Sequence, residues 1–208
     1  MRKNIAMLII INNIYTKIII VLLKNGDKMK RDILMDIVKK SIEKEFNSDI
    51  NIDKSELIKN NNFLNEKRAT FITLTLNNEL RGCIGSLEAD KTLFDDLVNN
   101  SYMAAFQDPR FLELSLEEFK KVEIEISILT PPTIVEYKDF EDLRSKIKPN
   151  IDGVIIEQEG KRSTFLPQVW KMLPTFDEFF AHLCYKGGFE VDDSFNPKVY
   201  KYEVEKIK

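Results

Sequence analysis

Only two cysteines, one histidine and seven glycines occur among the 208 residues. Each shortage removes a class of function. Two cysteines, Cys83 and Cys184, are too few for a disulfide framework, and they read as reduced thiols of a cytoplasmic protein. Cys83, His182 and Cys184 could supply at most three metal ligands. With no Cys-x-x-Cys and no second histidine, no metal site is predicted. No glycine-rich phosphate loop is present, so nucleotide-dependent chemistry is not expected and no cofactor is predicted. Charge of one sign is also lacking. Lys and Arg number 31 against 34 Asp and Glu, for a net charge of -3. The basic residues are mostly Lys and are interspersed with acids, as on a solvated surface. Nucleic-acid binding is therefore not expected. It would need a local basic surface around Arg81, Arg110 and Arg162 that the net charge conceals.

What is present suits an ordinary globular chain, with 43% apolar and 31% charged residues and length enough for one well-cored domain. The one long apolar run, Ile5 to Leu23, is interrupted by Asn12, Asn13 and Lys17. A central Lys costs ~3 kcal/mol on an insertion scale, whereas each Ile, Leu or Val returns only ~0.3–0.6. We read residues 1–28 as upstream sequence, with the domain spanning 29–208. The competing reading is a weak membrane anchor that leaves the body in the cytoplasm.

From Lys30, the helical spacing of Ile33, Leu34, Ile37, Val38 and Ile42 predicts an amphipathic helix to about Phe46. A polar, Asn-rich stretch follows. "ATFITLTL" (69–76) and "ELRGCIG" (79–85) read as strands joined by an Asn77-Asn78 turn. Thr92 and Asp95 cap a helix that runs to Phe106, and Ser115 with Glu118 a short one. "VEIEISIL" (122–129) alternates as a half-buried antiparallel strand. Pro131-Pro132 break the chain before a helix over Phe140 to Ile147. A hairpin over 152–167 turns at Glu159-Gly160. Thr175 and Glu178 open a helix that closes at Gly187-Gly188, and "VYKYEVEKI" is a final strand. Hairpins and helices without regular alternation predict an α+β fold, mainly antiparallel sheet flanked by helices.

The stretch "LRGCIG" (80–85) carries the chemistry. On an alternating strand Leu80, Gly82 and Ile84 would face the core, while Arg81 and Cys83 point away together. A guanidinium there would favour the thiolate of Cys83. Gly82 and Gly85 would let a ligand approach the backbone. The competing reading makes Cys83 a small buried hydrophobe and lets the glycines accommodate sheet twist. His182 could serve as general base, with Asp108 or Glu88 orienting it. Arg162, Ser163 and Thr164, ahead of Pro167, combine a cation and hydroxyls suited to an anionic ligand. In "DPRF" (108–111), Asp108 and Arg110 can pair to fix a turn, and Arg110 can reach a cleft.

The segments "LRGCIGSLEA", "AAFQDPRF", "IEISILTPP", "DGVIIEQEGKRSTFLPQVW" and "FFAHLCYKGGF" appear in the order characteristic of the AMMECR domain family. In prokaryotes this family is also called AmmeMemoRadiSam system protein A. The resemblance runs from about Met29 to the C-terminus. It implies a larger and a smaller lobe with a cleft between them. It also implies work beside a Memo-like protein and a radical-SAM protein, and it brings no settled reaction. One departure is Gly187, where alanine is usual, expected to affect only the helix end. Two functions follow as expectations. One is a cleft that binds a small or modified anionic group, with Cys83 as nucleophile, Arg81 as its activator, and Arg110, Arg162, Ser163 and Thr164 as ligand contacts. The other is a non-catalytic module that recognises a partner protein.

Overall fold

The computed structural model describes residues 26–192 and 194–208. The apolar run at 5–23 lies outside the described residues. Among those described, no helix is long and apolar enough to cross a membrane. Residues 26–43 are helical (α1) and bury Leu34, Ile37, Val38 and Ile42, the predicted apolar stripe. The Asn-rich stretch is more structured than its composition suggested. It holds helix α2 (Lys54–Asn60), capped by the Asp53 side chain, which accepts from the Glu56 N–H. No residue of α2 is buried, so its apolar periodicity was too thin to read.

Two four-stranded antiparallel sheets follow among the described residues. The first runs β2 (Glu79–Gly85), β1 (Thr70–Leu76), β3 (Glu123–Leu129), β8 (Val204–Ile207). The second runs β4 (Thr133–Ile134), β7 (Lys198–Tyr202), β5 (Gly153–Gln158), β6 (Lys161–Phe165). The α+β expectation holds. Asn77 and Asn78 both take positive φ (53° and 65°), the geometry of the tightest hairpin turn, and Glu159-Gly160 do the same between β5 and β6. Helix α3 (Leu93–Phe106) and α1 cover one face of the first sheet. Helices α5 (Phe140–Lys146) and α6 (Phe176–Gly187) cover one face of the second. Beneath them Trp170 stacks on Phe179 with ring centroids 3.7 Å apart, and its Nε1–H donates to the Asp152 carbonyl.

The predicted closing strand is two strands, one in each sheet. Glu203 marks the change. Its carbonyl accepts from the Thr130 N–H (2.9 Å), and its N–H donates to the Thr130 hydroxyl (2.8 Å). Pro131 and Pro132 then supply no N–H, so β3 cannot continue in the same ladder. The chain passes into β4 beside β7, and one two-stranded ribbon serves both sheets. A third apolar cluster, containing Ala69, Leu129, Ile155 and Tyr202 with Phe71 packed against it, fills the space where the sheets meet.

Gly82 is required by packing. A Cβ there would lie 2.2 Å from the Ala104 carbonyl oxygen of α3, a backbone atom that cannot yield without moving the helix. Gly82→Ala should therefore destabilise the protein by about 1–3 kcal/mol, in the manner of an overpacked core. Urea unfolding would show this as a lower midpoint with an unchanged slope.

Candidate functional site

Strand β2 is an edge, and an edge exposes unpaired backbone groups. Here a turn closes it. The Cys83 N–H donates to Asp108 Oδ2 (2.9 Å), and the Cys83 carbonyl accepts from the Arg110 guanidinium (3.1 Å). Asp108 and Arg110 are themselves joined by two side-chain hydrogen bonds, at 2.9 and 2.7 Å. Together they imitate a neighbouring strand. The Arg110 bonds lead in holding the Asp108 carboxyl well below the usual carboxylate range. Burial opposes them, and the Cys83 N–H adds to the lowering.

The register slips between Leu74 and Thr75, so Arg81 is an extra residue in β2. This corrects the expected alternation. Leu80 lies opposite Thr75 and is 44% exposed instead of facing the core. Arg81 is not free to activate a thiol. Its guanidinium donates to both oxygens of Glu118 (2.8 and 3.1 Å) and to the carbonyls of Leu112 and Glu113. Arg81 thus ties β2 to α4 (Leu116–Phe119), whose capping box on Ser115 includes the same glutamate. Arg81, followed by the Ser115 N–H, brings the Glu118 carboxyl down to about 2. The cation brought to Cys83 is Arg110, through the Cys83 carbonyl.

Below the slip, alternation is regular. Gly82 and Ile84 pair with the core residues Leu74 and Ile72, and Cys83 and Gly85 pair with Thr73 and Phe71 on the other face. The glycines serve the fold: a Cβ on Gly85 would fall 2.3 Å from the Phe71 ring. The Cys83 thiol shares a hydrogen bond with the Thr73 hydroxyl at 3.4 Å. Thr73 in turn lies opposite Glu125 of β3. Glu125 accepts from Lys206 (2.6 Å) and pairs with Lys208 (3.1 Å). Burial raises the pKa of the Glu125 carboxyl, but the bonds from the two lysines outweigh it and the net direction is down. A row of thiol, hydroxyl, carboxylate and ammonium groups therefore crosses the sheet face opposite α1 and α3. The alternating sequence of β3 marked Glu125 as outward-facing, but the row requires the cross-strand register, which no local pattern encodes.

The other expected contacts are dispersed. Arg162 faces the crease between the lobes, where it is ion-paired with Glu88 of the larger lobe and with Glu157. With Arg68, Glu88, Pro131 and Tyr202 it lines a cavity of about 130 Å³ there. Thr164 shares a hydrogen bond with the buried Tyr202 hydroxyl, whose pKa burial pushes up to about 12. Ser163 points to the opposite face, toward Gly187, and its buried Oγ has no hydrogen-bond partner among the described residues. His182 lies exposed on α6, its Nδ1 within 2.9 Å of the Glu178 carbonyl. Helix α6 packs on the far face of the second sheet from Tyr202 and Phe71, so the proposed Cys83–His182 pair is not assembled. The same separation keeps Cys184, buried on α6, away from Cys83.

The edge closure makes stability depend on acid. Asp108 and Glu118 both have lowered carboxyl pKa values, so protons bind the unfolded state more readily. Their contribution is complete above about pH 5, just past the unfolded carboxylate range, and is lost as pH falls through the folded values. Chemical unfolding at stepped pH should show stability dropping from about pH 5 toward 2. Asp108→Asn and Glu118→Gln should each be less stable at pH 7 and flatten that slope.

Comparison with known proteins agrees with this architecture. The family model described as AMMECR1 matches residues 35–207. Protein MJ0810 of Methanocaldococcus jannaschii is 39% identical over 150 residues, covering 68% of this chain and 73% of that protein. A protein of Methanothermobacter thermautotrophicus is 35% identical over 147 residues, covering 67% and 74% respectively. The crystal structure of uncharacterized protein PH0010 from Pyrococcus horikoshii superposes with a TM-score of 0.66 at 31% identity, covering 83% of this chain and 88% of that one. The chain belongs to the AMMECR1 family.

Proposed function

We propose that the protein acts through the thiol of Cys83, on a small substrate bound against the open face of the first sheet. One observation carries this reading. Within Leu80 to Gly85, Nε and Nη2 of Arg81 and the missing side chains of Gly82 and Gly85 are accounted for by folding contacts. Cys83 also serves the fold, but through its backbone. Its half-buried thiol faces a polar row instead of the core. A thiol in that setting is the nucleophile available to this face. Thr73 positions it, and the Arg110 guanidinium, 52% exposed while paired with Asp108, lies beside the strand as a hydrogen-bond donor for an anionic group. The lysines around Glu125 add cations at the other end of the row.

The setting we infer is the cytoplasm, where both thiols stay reduced. Resemblance to the AmmeMemoRadiSam proteins supports a place beside Memo-like and radical-SAM partners. The same face, if it bound a partner without chemistry, would make the protein an adaptor. Arg81, paired with Glu118, supports the fold in either case.

The two thiols separate the readings. Burial pushes the Cys184 thiol up to about 11, and it lies in the core of the smaller lobe. Iodoacetamide applied to folded protein near pH 7.5 should carboxamidomethylate Cys83 and leave Cys184 untouched, with peptide mass spectrometry as the readout. Cys83→Ser should then abolish labelling. A Cys83 that reacts only after unfolding would remove the nucleophile and leave the adaptor reading.

A further inference from the structure

The smaller lobe holds a second cavity that the Cys83 face does not use. Phe140, Phe176, Phe180, Phe189 and Phe195 line it, on the outward side of α6, and its volume is about 470 Å³. The rings contact one another in sequence. Phe140 meets Phe180 edge-on at 5.4 Å and Phe195 in a stack at 6.2 Å, while Phe189 meets Phe195 edge-on at 5.9 Å. Phe189 reaches this place because residue 187 has no Cβ. One built there would lie 2.3 Å from the Phe189 ring and 2.8 Å from Ser163 Cβ. Gly187 therefore does more than end a helix. It admits an aromatic ring to the cavity wall. The mouth is apolar too, with Phe140 39%, Val191 65% and Tyr185 86% exposed.

A pocket of this size suits a small organic ligand. Its charge selects which kind. Among the described residues, the one charged residue lining it is Asp177. Exposed Glu141, Glu190 and Asp192 lie on the segments that form its walls; the nearby cations among the described residues are Arg144, which pairs with Glu141 and Asp177, and Lys161, which donates to the Gly188 carbonyl. Aromatic faces present negative potential and attract cations. The protein displays that chemistry itself: Arg144 lies over the Phe176 ring, 5.6 Å from its centroid, and binds Asp177 through Oδ1. A carboxylate ligand would meet repulsion from the acidic rim, and a neutral one would gain only the apolar burial.

We propose that this phenylalanine-lined cavity is a binding site for a small amphiphilic amine, with its apolar or aromatic body among the rings and its ammonium at Asp177. The site is separate from the Cys83 face and does not depend on the function assigned there.

The test uses three matched probes at pH 7: 4-phenylbutylamine, 4-phenylbutan-1-ol and 4-phenylbutyrate, titrated into the full chain with amide chemical shifts as readout. The amine should bind about tenfold more tightly than the carboxylate, with the alcohol between them. Shifts should centre on Ala181, Tyr185 and Val191. Asp177→Asn, at an exposed position, should erase the advantage of the amine over the alcohol. Phe140→Ala, and independently the more exposed Tyr185→Ala, should weaken all three. Equal affinities, preference for the carboxylate, no shift with millimolar amine, or an unchanged amine preference in Asp177→Asn would each overturn the proposal.

Discussion

The two sheets share one antiparallel ribbon, and the junction at Thr130 and Glu203 is the constraint on which the architecture depends. Two hydrogen bonds there keep the strands paired while they leave one sheet and enter the other. The Thr130 hydroxyl takes the acceptor role that its own backbone carbonyl would fill in a regular ladder. Two prolines then prevent the original ladder from continuing. Each lobe can thus build its own core under its own helices while a short apolar seam, containing Leu129, Ile155 and Tyr202, joins them. The Arg162–Glu88 ion pair adds a polar tie across the same crease.

Much of the sequence around Leu80 to Gly85 is explained by closing an exposed edge. An unprotected β2 would offer its N–H and C=O groups to any passing strand. Asp108 and Arg110 occupy those groups at Cys83, and Arg81 anchors the strand to α4. Residues that look like an activated thiol in one dimension therefore divide into two roles. The arginines and glycines hold the strand, and the thiol is presented by it. A buried polar network reinforces the same region. Asp96 and Asn100 of α3 bond Thr70 and Ser86, with every polar partner at 2.7–3.2 Å. Such a network is costly when incomplete and rigid when satisfied, so it fixes α3 against the strands that carry Cys83.

Local signals were legible wherever a few neighbouring residues decide the outcome. Asn77-Asn78 turned the first hairpin, Glu159-Gly160 the second, and Ser115 and Thr175 capped their helices as their spacing to Glu118 and Glu178 implied. Misreadings came where distant residues decide. The β2 bulge turned Leu80 outward, because register depends on the partner strand. Arg81 found Glu118, 37 positions away. Helix α2 escaped notice because only Leu57 and Ile58 pack against the core, and neither is fully buried.

The amino-acid sequence by itself determined the α+β class, both hairpins, the capped helices beyond Arg68, and the place of Cys83 on a strand beside glycines, but not β4 or the division of the closing strand. These follow from periodicity, turn chemistry and composition, which act over a few residues. Tertiary structure alone decided that His182 lies across a sheet from Cys83, that Arg110 and not Arg81 attends it, and that Thr73 and Glu125 continue its row. It also decided that five phenylalanines spread over 56 positions, from Phe140 to Phe195, enclose one cavity. The physical reason is common to all of these. Which side chains meet is set by strand pairing and by the face each helix covers, and both depend on contacts far apart in the chain.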